Sequence, residues 1–305
     1  MSSLAVVILT KNEEIHLARA LDCLHKAGLA NEVYIIDSYS TDKTQEIAEE
    51  RGANFIQHEY TNQAQQLQWA LDSIQMKSDW VMRLDADEVL GEDLCRAISE
   101  YLTNAPEDVR GINLQRRHIF MGRWIRYGGR YPLNLLRVWR KGEARVQNRW
   151  MDEHIVLQGG KIVTLKGRFE DRNLNDIGYF IEKHNSYANR EAVSVLLEKY
   201  SLGEPDSLDA YKTSRQAMLK AWLKKRIYNR IPFQLSSTLY FVWRYFFQLG
   251  FLDGIEGLAY HFLQGYWYRF LVGVRLRELE VGLAGSSDKE QQVKNLAHLS
   301  GLAIE

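Results

Sequence analysis

Three carboxylates stand close together in RLDADEVL, residues 83–90, directly after the apolar run that begins at Trp80. They belong to Asp85, Asp87 and Glu88. Carboxylates held this close repel one another and lose hydration, so such a cluster usually has a partner, most often a divalent cation. Because divalent cations such as Mg²⁺ prefer oxygen ligands, the Asp-x-Asp pair Asp85 and Asp87 predicts a metal site. A cation held there could neutralise a diphosphate. A solvated acidic turn is the alternative.

Two more polar clusters follow apolar runs earlier in the chain. One includes Thr10 and Glu13, and the other begins at Asp37. A carboxylate can accept hydrogen bonds from a nucleotide base or a ribose hydroxyl, so Glu13 and Asp37 are candidates for nucleotide binding. The alternatives are that Asp37 caps the turn after it and that Glu13 only favours the start of a helix.

A further acidic group lies in the second half of the chain, where Asp152 and Glu153 precede His154 in an aromatic-flanked segment. A carboxylate here is a candidate general base if it reaches the proton of a hydroxyl group. A surface turn is the alternative. A zinc site through His154 has little support, because no Cys/His ligand spacing accompanies it.

The elements that position these residues alternate between strand and helix patterns. Four apolar runs predict strands, and the segments between them carry helical periodicity: LAVVILT (4–10), EVYIIDS (32–38), ANFIQH (53–58) and DWVMRLDAD (79–87). Such alternation predicts an α/β protein with a mostly parallel, Rossmann-like sheet and flanking helices. Ligands bind beyond the carboxyl ends of such strands, so we expect the three polar clusters to meet in one crevice.

Charge divides the chain into two halves although the formal net charge is zero. Residues 1–105 contain 8 basic and 18 acidic residues, and residues 106–305 contain 31 and 21. The basic half is expected to face an anion, either a phosphate-bearing ligand or an anionic membrane. Nucleic acid is not an expected partner, because no nucleic-acid motif is present and the acidic half would repel a polyanion.

Residues 215–231 contain six basic residues and no acidic one, and an aromatic-rich stretch follows from Tyr240 to Leu271. This pattern predicts a helical region that binds an anionic membrane surface, with an ordinary aromatic core as the alternative. The longest apolar runs are shorter than the roughly 20 residues of a membrane span. With two cysteines and no signal-peptide pattern, we expect a cytoplasmic protein, peripheral on the inner face of the cytoplasmic membrane.

Three of these segments together resemble the inverting family 2 glycosyltransferases of the GT-A fold. They are VVILTKNEE (6–14), IIDSYSTDKT (35–44) and RLDADEVL (83–90). The segments at 120–142, 151–155, 183–192 and 250–257 resemble bacterial transferases that build lipopolysaccharide cores or exopolysaccharides. The resemblance implies a nucleoside diphosphate sugar donor, a UDP-sugar first, and a saccharide or lipid-linked saccharide acceptor.

The same resemblance assigns roles to the candidate residues. Thr10 and Glu13 would hold the nucleoside and Asp37 would meet the base. Asp85 and Asp87 would hold a divalent cation, Mg²⁺ or Mn²⁺, with the diphosphate. Two further carboxylates, Asp152 and Glu153, both remain candidates for the catalytic base.

The domain organisation that we expect has three parts. Residues 1–200 form the GT-A domain, with a donor half (1–105) and an acceptor half (106–200); residues 201–285 form a helical, aromatic-rich region, and residues 286–305 form a tail. A sugar nucleotidyltransferase would need a Gly-rich, Arg-containing loop after the first strand, and TKNEE (10–14) has none. A non-catalytic nucleotide-binding protein at the membrane surface is the remaining alternative.

Overall fold

The computed structural model describes residues 2–147, 155–200, 202, 231–284, 288–302 and 304. The described residues fall into two compact units, one within residues 2–174 and the other within residues 175–304. The two candidate bases, Asp152 and Glu153, lie outside the described residues, as do His154 and the basic residues of 215–230. The division of the chain at residues 200 and 285, which the sequence suggests, stays a prediction.

The first unit begins with the pattern that the sequence predicts. The continuous apolar run forms strand β1 (Leu4–Thr10), which is buried on both faces. Helix α1 (Leu17–Ala27) buries its leucines and ends at Gly28, whose positive φ of 56° suits a residue without a side chain. The other elements of the acidic half are β2 (Glu32–Asp37), α2 (Thr44–Glu50), β3 (Asn54–Gln57), α3 (Gln63–Ser73), β4 (Trp80–Asp85), β5 (Glu88–Leu90) and α4 (Glu92–Thr103).

The basic half of this unit is built mostly from strands. They are β6 (Val109–Phe120), β7 (Arg123–Ile125), β8 (Leu133–Arg140), β9 (Ala144–Val146), β10 (Ile155–Leu157) and β11 (Lys161–Arg172). In the main sheet the order is β3-β2-β1-β4-β8-β6-β11-β5, with β7 beside β6, while β9 and β10 pair separately. The first four strands in this order run parallel, which confirms the predicted α/β fold.

The sheet curls back on itself between β4 and β5. In the sheet order, three strands lie between these two, so a flat sheet would hold them about 19 Å apart, or four steps of about 4.8 Å. In sequence, β4 ends at Asp85 and β5 begins at Glu88, and three Cα steps of about 3.8 Å span at most about 11 Å. Strands β4, β8, β6, β11 and β5 therefore form a nearly closed ring.

Two apolar cores cover the two faces of the parallel part of the sheet. One contains Leu4, Val6 and Ile8 of β1 together with the buried leucines of α1 and α4. The other contains Ala5 and Val7 and is covered by α3. This alternation explains why β1 is apolar at every position: both of its faces are buried.

The second unit is helical. Its apolar core joins helix α5 (Ile177–Tyr200) to the helices Tyr268–Leu283 and Lys289–Ser300, through Ala192, Val193, Leu196, Leu279, Leu283 and Leu296. This unit confirms the prediction of a helical, aromatic-rich carboxyl-terminal region.

A helical hairpin, residues 233–267, precedes the helix Tyr268–Leu283. Its first arm is the helix Phe233–Val242 with the π-helical turn Trp243–Phe247, and its second arm is Gly254–Tyr260 with the π-helical segment His261–Trp267. A 3-10 turn, Gly250–Asp253, connects the arms, which pack against each other. Within the described part of the chain, no helix combines the length and the apolar character needed to cross a membrane.

Candidate active site

The three predicted polar clusters lie side by side at the carboxyl ends of the parallel strands. Thr10 at the end of β1 is paired in register with Asp37 at the end of β2. On the other side of β1, Leu9 is paired with Asp85 at the end of β4. The three strand ends therefore lie at the one edge of the sheet where the sequence predicts a crevice.

Asp37 is fully buried and holds the loop that follows β2. Its carboxylate accepts hydrogen bonds from the hydroxyl of Thr10 at 2.9 Å and from the backbone N–H of Ser40 at 2.7 Å. The Ser40 hydroxyl donates a third bond to it at 2.5 Å. This is the turn-capping role that the sequence left as an alternative, and contact between Asp37 and a nucleotide base stays a prediction.

Glu13 also makes its main contact within the protein. The backbone N–H of Leu174 donates to Nε2 of the buried His16 at 2.9 Å. In a neutral imidazole the proton is then on Nδ1, which lies 2.6 Å from the Glu13 carboxylate and donates to it. Glu13 thus orients a histidine that connects the loop after β1 to the end of the first unit, and its contact with a nucleoside stays a prediction.

Lys11 is a site residue that the sequence analysis missed. Its ammonium group donates to the backbone carbonyls of Ser38 at 2.9 Å and Tyr39 at 2.8 Å, so it connects the loops after β1 and β2. Asn12 and Tyr39 have positive φ angles of 54° and 59°, which are uncommon outside glycine and add strain to the two loops. The signal was visible in the sequence as a lysine inside the first acidic cluster.

The carboxylate of Asp85 is paired with two arginines. It lies 3.1 Å from Nη2 of Arg83, two residues earlier on the same strand, and 2.9 Å from Nη2 of Arg137 on β8. Arg137 also contacts the fully buried Glu88 at 2.5 Å, and Arg116 on β6 lies 3.2 Å from that same carboxylate. Asp85 and Glu88 therefore have protein partners for their charge.

The ion pairs continue across the inside of the ring. Arg116 lies 3.4 Å from Asp171 on β11, and Nδ1 of His118 lies 3.1 Å from the same carboxylate. A single chain of contacts, here called the ring network, thus crosses four strands of the ring and reaches the end of β4. Its members are Asp85, Arg137, Glu88, Arg116, Asp171 and His118.

The ring network shifts the pKa values of its acids in opposite directions. Burial opposes ionisation of Asp85, but attraction to Arg137, Arg83 and Arg116 outweighs it and lowers the pKa of Asp85. Burial raises the pKa of Glu88 to about 7, with Arg137 opposing this shift and the neighbouring Asp85 adding to it. Within this pair Asp85 is therefore the carboxylate that stays charged at neutral pH.

Asp87 occupies the turn between β4 and β5. The side-chain amide of Asn173 donates to its carboxylate at 3.1 Å, and the backbone N–H of Arg172 donates to its carbonyl at 3.0 Å. Nothing in the described part of the chain brings three or more His, Cys, Asp or Glu residues together as a metal site. A Mg²⁺ site commonly uses one or two carboxylates and completes its shell with substrate phosphates, and Asp85 with Asp87 fits that kind of donor set.

Comparison with known proteins decides the family. The model of a family described as glycosyl transferase family 2 matches residues 5–172, more than half of the chain. The chain belongs to glycosyl transferase family 2. The match ends at the last residue of β11, so it spans all the strands of the ring, and the predicted enzyme class is confirmed.

Relatives of this family 2 protein occur in Rickettsia. An uncharacterised glycosyltransferase of Rickettsia typhi is 29% identical over 202 residues, which cover 63% of this chain and 68% of the relative. An uncharacterised glycosyltransferase of Rickettsia bellii is 34% identical over 120 residues, 39% of either chain.

Two solved structures are similar to parts of this chain. Glucosyl-3-phosphoglycerate synthase from Mycobacterium tuberculosis, crystallised with Mn²⁺, UDP and glucosyl-3-phosphoglycerate, has a TM-score of 0.33 and 20% identity. That comparison covers 38% of this chain and 44% of the synthase, less than half of either. TarS 1–349 from S. aureus has a TM-score of 0.41 and 12% identity over 90% of this chain and 91% of its own.

Proposed function

We propose that this protein transfers a sugar from a nucleoside diphosphate sugar, most simply a UDP-sugar, to a hydroxyl of a saccharide acceptor, with inversion at the anomeric carbon. The observation that supports this proposal best is the meeting of three polar strand ends beside Asp85 and Asp87, in a chain of family 2. Ligands of open α/β sheets bind at this edge.

The donor would be held by groups from the acidic half of the first unit. Thr10, Glu13 and Asp37 would hold the nucleoside through the two loops that their hydrogen bonds shape. Asp87, with Asp85 beside it, would hold a divalent cation, Mg²⁺ or Mn²⁺. When bound, the cation supplies positive charge where negative charge develops on the diphosphate.

The ring network would keep Asp85 ionised and fixed in place for this task. Arg83 contacts its carboxylate through Nε and Nη2, and Arg137 through Nη2. A carboxylate has about four lone-pair positions, so about one is left for a cation. Arg137 is held in turn by Glu88. Preorganised charge of this kind avoids reorganisation while the reaction proceeds.

The chemical step needs a base, and Asp152 or Glu153 would provide it. The carboxylate takes the proton of the acceptor hydroxyl, and the acceptor oxygen forms a bond to the anomeric carbon. The bond from that carbon to the diphosphate breaks on the opposite face, and its electron pair leaves with the nucleoside diphosphate. One such displacement inverts the configuration at the anomeric carbon.

The base is testable with conservative variants. Asp152→Asn and Glu153→Gln should each keep nucleotide binding, and one of them should lose about 100-fold or more in turnover. Normal turnover in both variants and in the double variant would place the base elsewhere.

The acceptor that we propose is a saccharide of bacterial lipopolysaccharide or exopolysaccharide, lipid-linked or free. Its synthesis at the inner face of the cytoplasmic membrane would need a peripheral enzyme, and the basic residues of 215–231 provide charge for an anionic surface. A variant with Lys220, Lys224, Lys225 and Arg226 changed to Gln should bind anionic vesicles more weakly at low salt.

One experiment tests the proposed function directly. Thermal unfolding is followed with UDP-, GDP- and dTDP-sugars, with and without Mg²⁺, because a ligand that binds the native state raises its melting temperature. We expect stabilisation by one nucleotide class, increased by the cation, and cation-dependent turnover of that sugar nucleotide. Binding without any turnover or hydrolysis would favour the alternative of a non-catalytic nucleotide-binding protein.

A further inference from the structure

The helical hairpin of the second unit has an inverted distribution of side chains. Between residues 241 and 262, nine residues are exposed, and each of them is aromatic or aliphatic. Six of them surround the end of the hairpin and are here called the apolar tip: Phe246, Phe247, Leu249, Phe251, Leu252 and Ile255. Ile255 is 70% exposed and Phe247 is 69% exposed.

The inside of the same hairpin is polar. Arg244, Asp253 and His261 are buried there, and Arg244 donates to the side-chain carbonyl of Gln264 at 3.1 Å. Gly250 brings the arms together, since a side chain at this position would begin 2.7 Å from the His261 ring and 2.9 Å from the Arg244 carbonyl. Close packing therefore keeps the polar groups inside and the apolar groups outside.

Such an inversion costs free energy in water, because exposed apolar area is unfavourable and contiguous apolar patches usually mark binding surfaces. We propose that the apolar tip enters the interfacial layer of a lipid bilayer, between the headgroups and the acyl chains. This proposal identifies the part of the proposed transferase that contacts the membrane. It rests on the proposed function only for the reason why the protein would bind a membrane.

Two observations favour lipid over a protein partner. Protein interfaces carry about one hydrogen bond per 100–200 Å², yet the exposed residues of 241–262 include no hydrogen-bonding side chain except the indole of Trp243. Backbone groups of the turn pair within the hairpin: Gln248 N–H donates to the Trp243 carbonyl at 2.9 Å and Leu252 N–H to the Leu249 carbonyl at 3.0 Å. A lipid environment requires such internal satisfaction.

Charge complementarity points to an anionic bilayer. Between Asp209 and Asp253 the chain contains no other acidic residue, whereas eight Lys or Arg residues occur there. Arg244 is buried in the hairpin, and the other seven precede Ile231 in the sequence. Cationic residues next to an apolar surface with Trp and Tyr are typical of segments that lie in the membrane interface. The apolar tip would add salt-resistant binding to the salt-sensitive attraction of these cations.

The test measures sedimentation of the full chain with phosphatidylcholine vesicles that contain phosphatidylglycerol, at low and high salt. Ile255→Glu and Phe247→Glu place a charge in the apolar tip, and Val281→Glu is the matched control, since Val281 is 62% exposed on the helix Tyr268–Leu283. We expect the wild type and the control to bind at both salt concentrations. At high salt each tip variant should bind vesicles at least about tenfold more weakly, because a large apolar side chain no longer moves from water into the bilayer.

Equal binding of the tip variants and the control would overturn the proposal. If light scattering without lipid then showed that the wild type self-associates and Ile255→Glu does not, the tip would be assigned to a second copy of the chain. Asp87→Ala separates this proposal from the proposed function, because it should lose turnover and keep vesicle binding. Circular dichroism melting of every variant verifies that each one is folded.

Discussion

The ring network and the apolar tip solve opposite problems of burial. In the first unit, charged groups are taken out of water, and each carboxylate of the network lies within 3.4 Å of a cationic or imidazole nitrogen. In the helical hairpin of the second unit, apolar groups are left in water around a polar interior. Charge that is buried and paired suits a site that must handle a charged ligand. Exposed apolar surface suits contact with an apolar phase.

The largest expected effect tests the charged side of this comparison. Asp87→Ala should reduce sugar transfer about 100-fold or more, because it removes a group placed where charge develops. Steady-state turnover with the stabilising sugar nucleotide measures this effect. Asp72→Ala on α3, an exposed acid paired with Arg145, is the control and should keep activity. Full turnover of Asp87→Ala in chelator-treated buffer would contradict the assignment of Asp87 to a metal site.

The next effect concerns the stability of the ring. Arg137→Met leaves Asp85 and Glu88 without their shared cation, and removing one partner of a buried pair costs about 3–5 kcal/mol. Urea unfolding measures the change. Arg145→Met provides the contrast, because its pair with Asp72 is exposed and such pairs contribute about 1 kcal/mol or less. Equal losses of unfolding free energy in the two variants would show that the ring network stabilises the fold no more than an exposed ion pair does.

A third prediction uses a carboxylate that lies outside both regions. Glu32 accepts hydrogen bonds from the Ser78 hydroxyl at 2.5 Å and the Tyr34 hydroxyl at 2.6 Å, and from the backbone N–H of Lys77 and Ser78. Burial opposes ionisation, but these bonds outweigh it and lower the pKa of Glu32 to about 2. Because the folded pKa lies below the unfolded value, this stabilisation is present above pH 4.5 and lost as pH falls toward 2.

Glu32→Gln should therefore lower the free energy of unfolding by about 1–3 kcal/mol at neutral pH. The difference from the wild type should shrink as pH falls from 4.5 toward 2, because the wild type loses its charge there. Chemical unfolding at several pH values measures it. A difference that stays constant with pH would contradict the assignment.

The smallest effect is expected at the apolar tip. Phe247→Ser and Ile255→Ser should change the free energy of unfolding in lipid-free buffer by no more than about 0.5 kcal/mol, because both side chains are exposed. Urea unfolding measures both variants. Leu279→Ser in the core of the second unit is the contrast and should cost several-fold more. A large loss at Phe247 would mean that the tip is packed in solution.

The parts of the fold that could be predicted are those encoded by local pattern. Strand β1 reads as buried on both faces because every residue from Leu4 to Ile8 is apolar, and β4 reads likewise from Trp80 to Leu84 apart from Arg83. The convergence of Thr10, Asp37 and Asp85 followed from the parallel order of those strands. The ring did not follow, because its closure depends on pairing between β5 and β11, which lie about 80 residues apart.

The arginine partners of the carboxylates could not be predicted from the sequence for the same reason. Charge counting predicted that the basic half faces an anion, and the structure shows that Arg116 and Arg137 face Glu88 and Asp85 of the acidic half. Arg137 is 52 positions from Asp85, so nothing local connects them. The period-two placement of Arg116 and His118 on β6 was the available signal, because it puts both on one face of the strand.

The curled sheet also determines when the ring can close during synthesis of the chain on the ribosome. Strand β5 leaves the ribosome soon after β4, yet its partner β11 ends at Arg172, more than 80 residues later. Until that strand emerges, β5 has no partner strand and the ring around Glu88 is incomplete. A stalled chain that stops before residue 161 should therefore remain sensitive to protease near Glu88, whereas a chain extended past residue 172 by the length of the ribosomal tunnel should be protected.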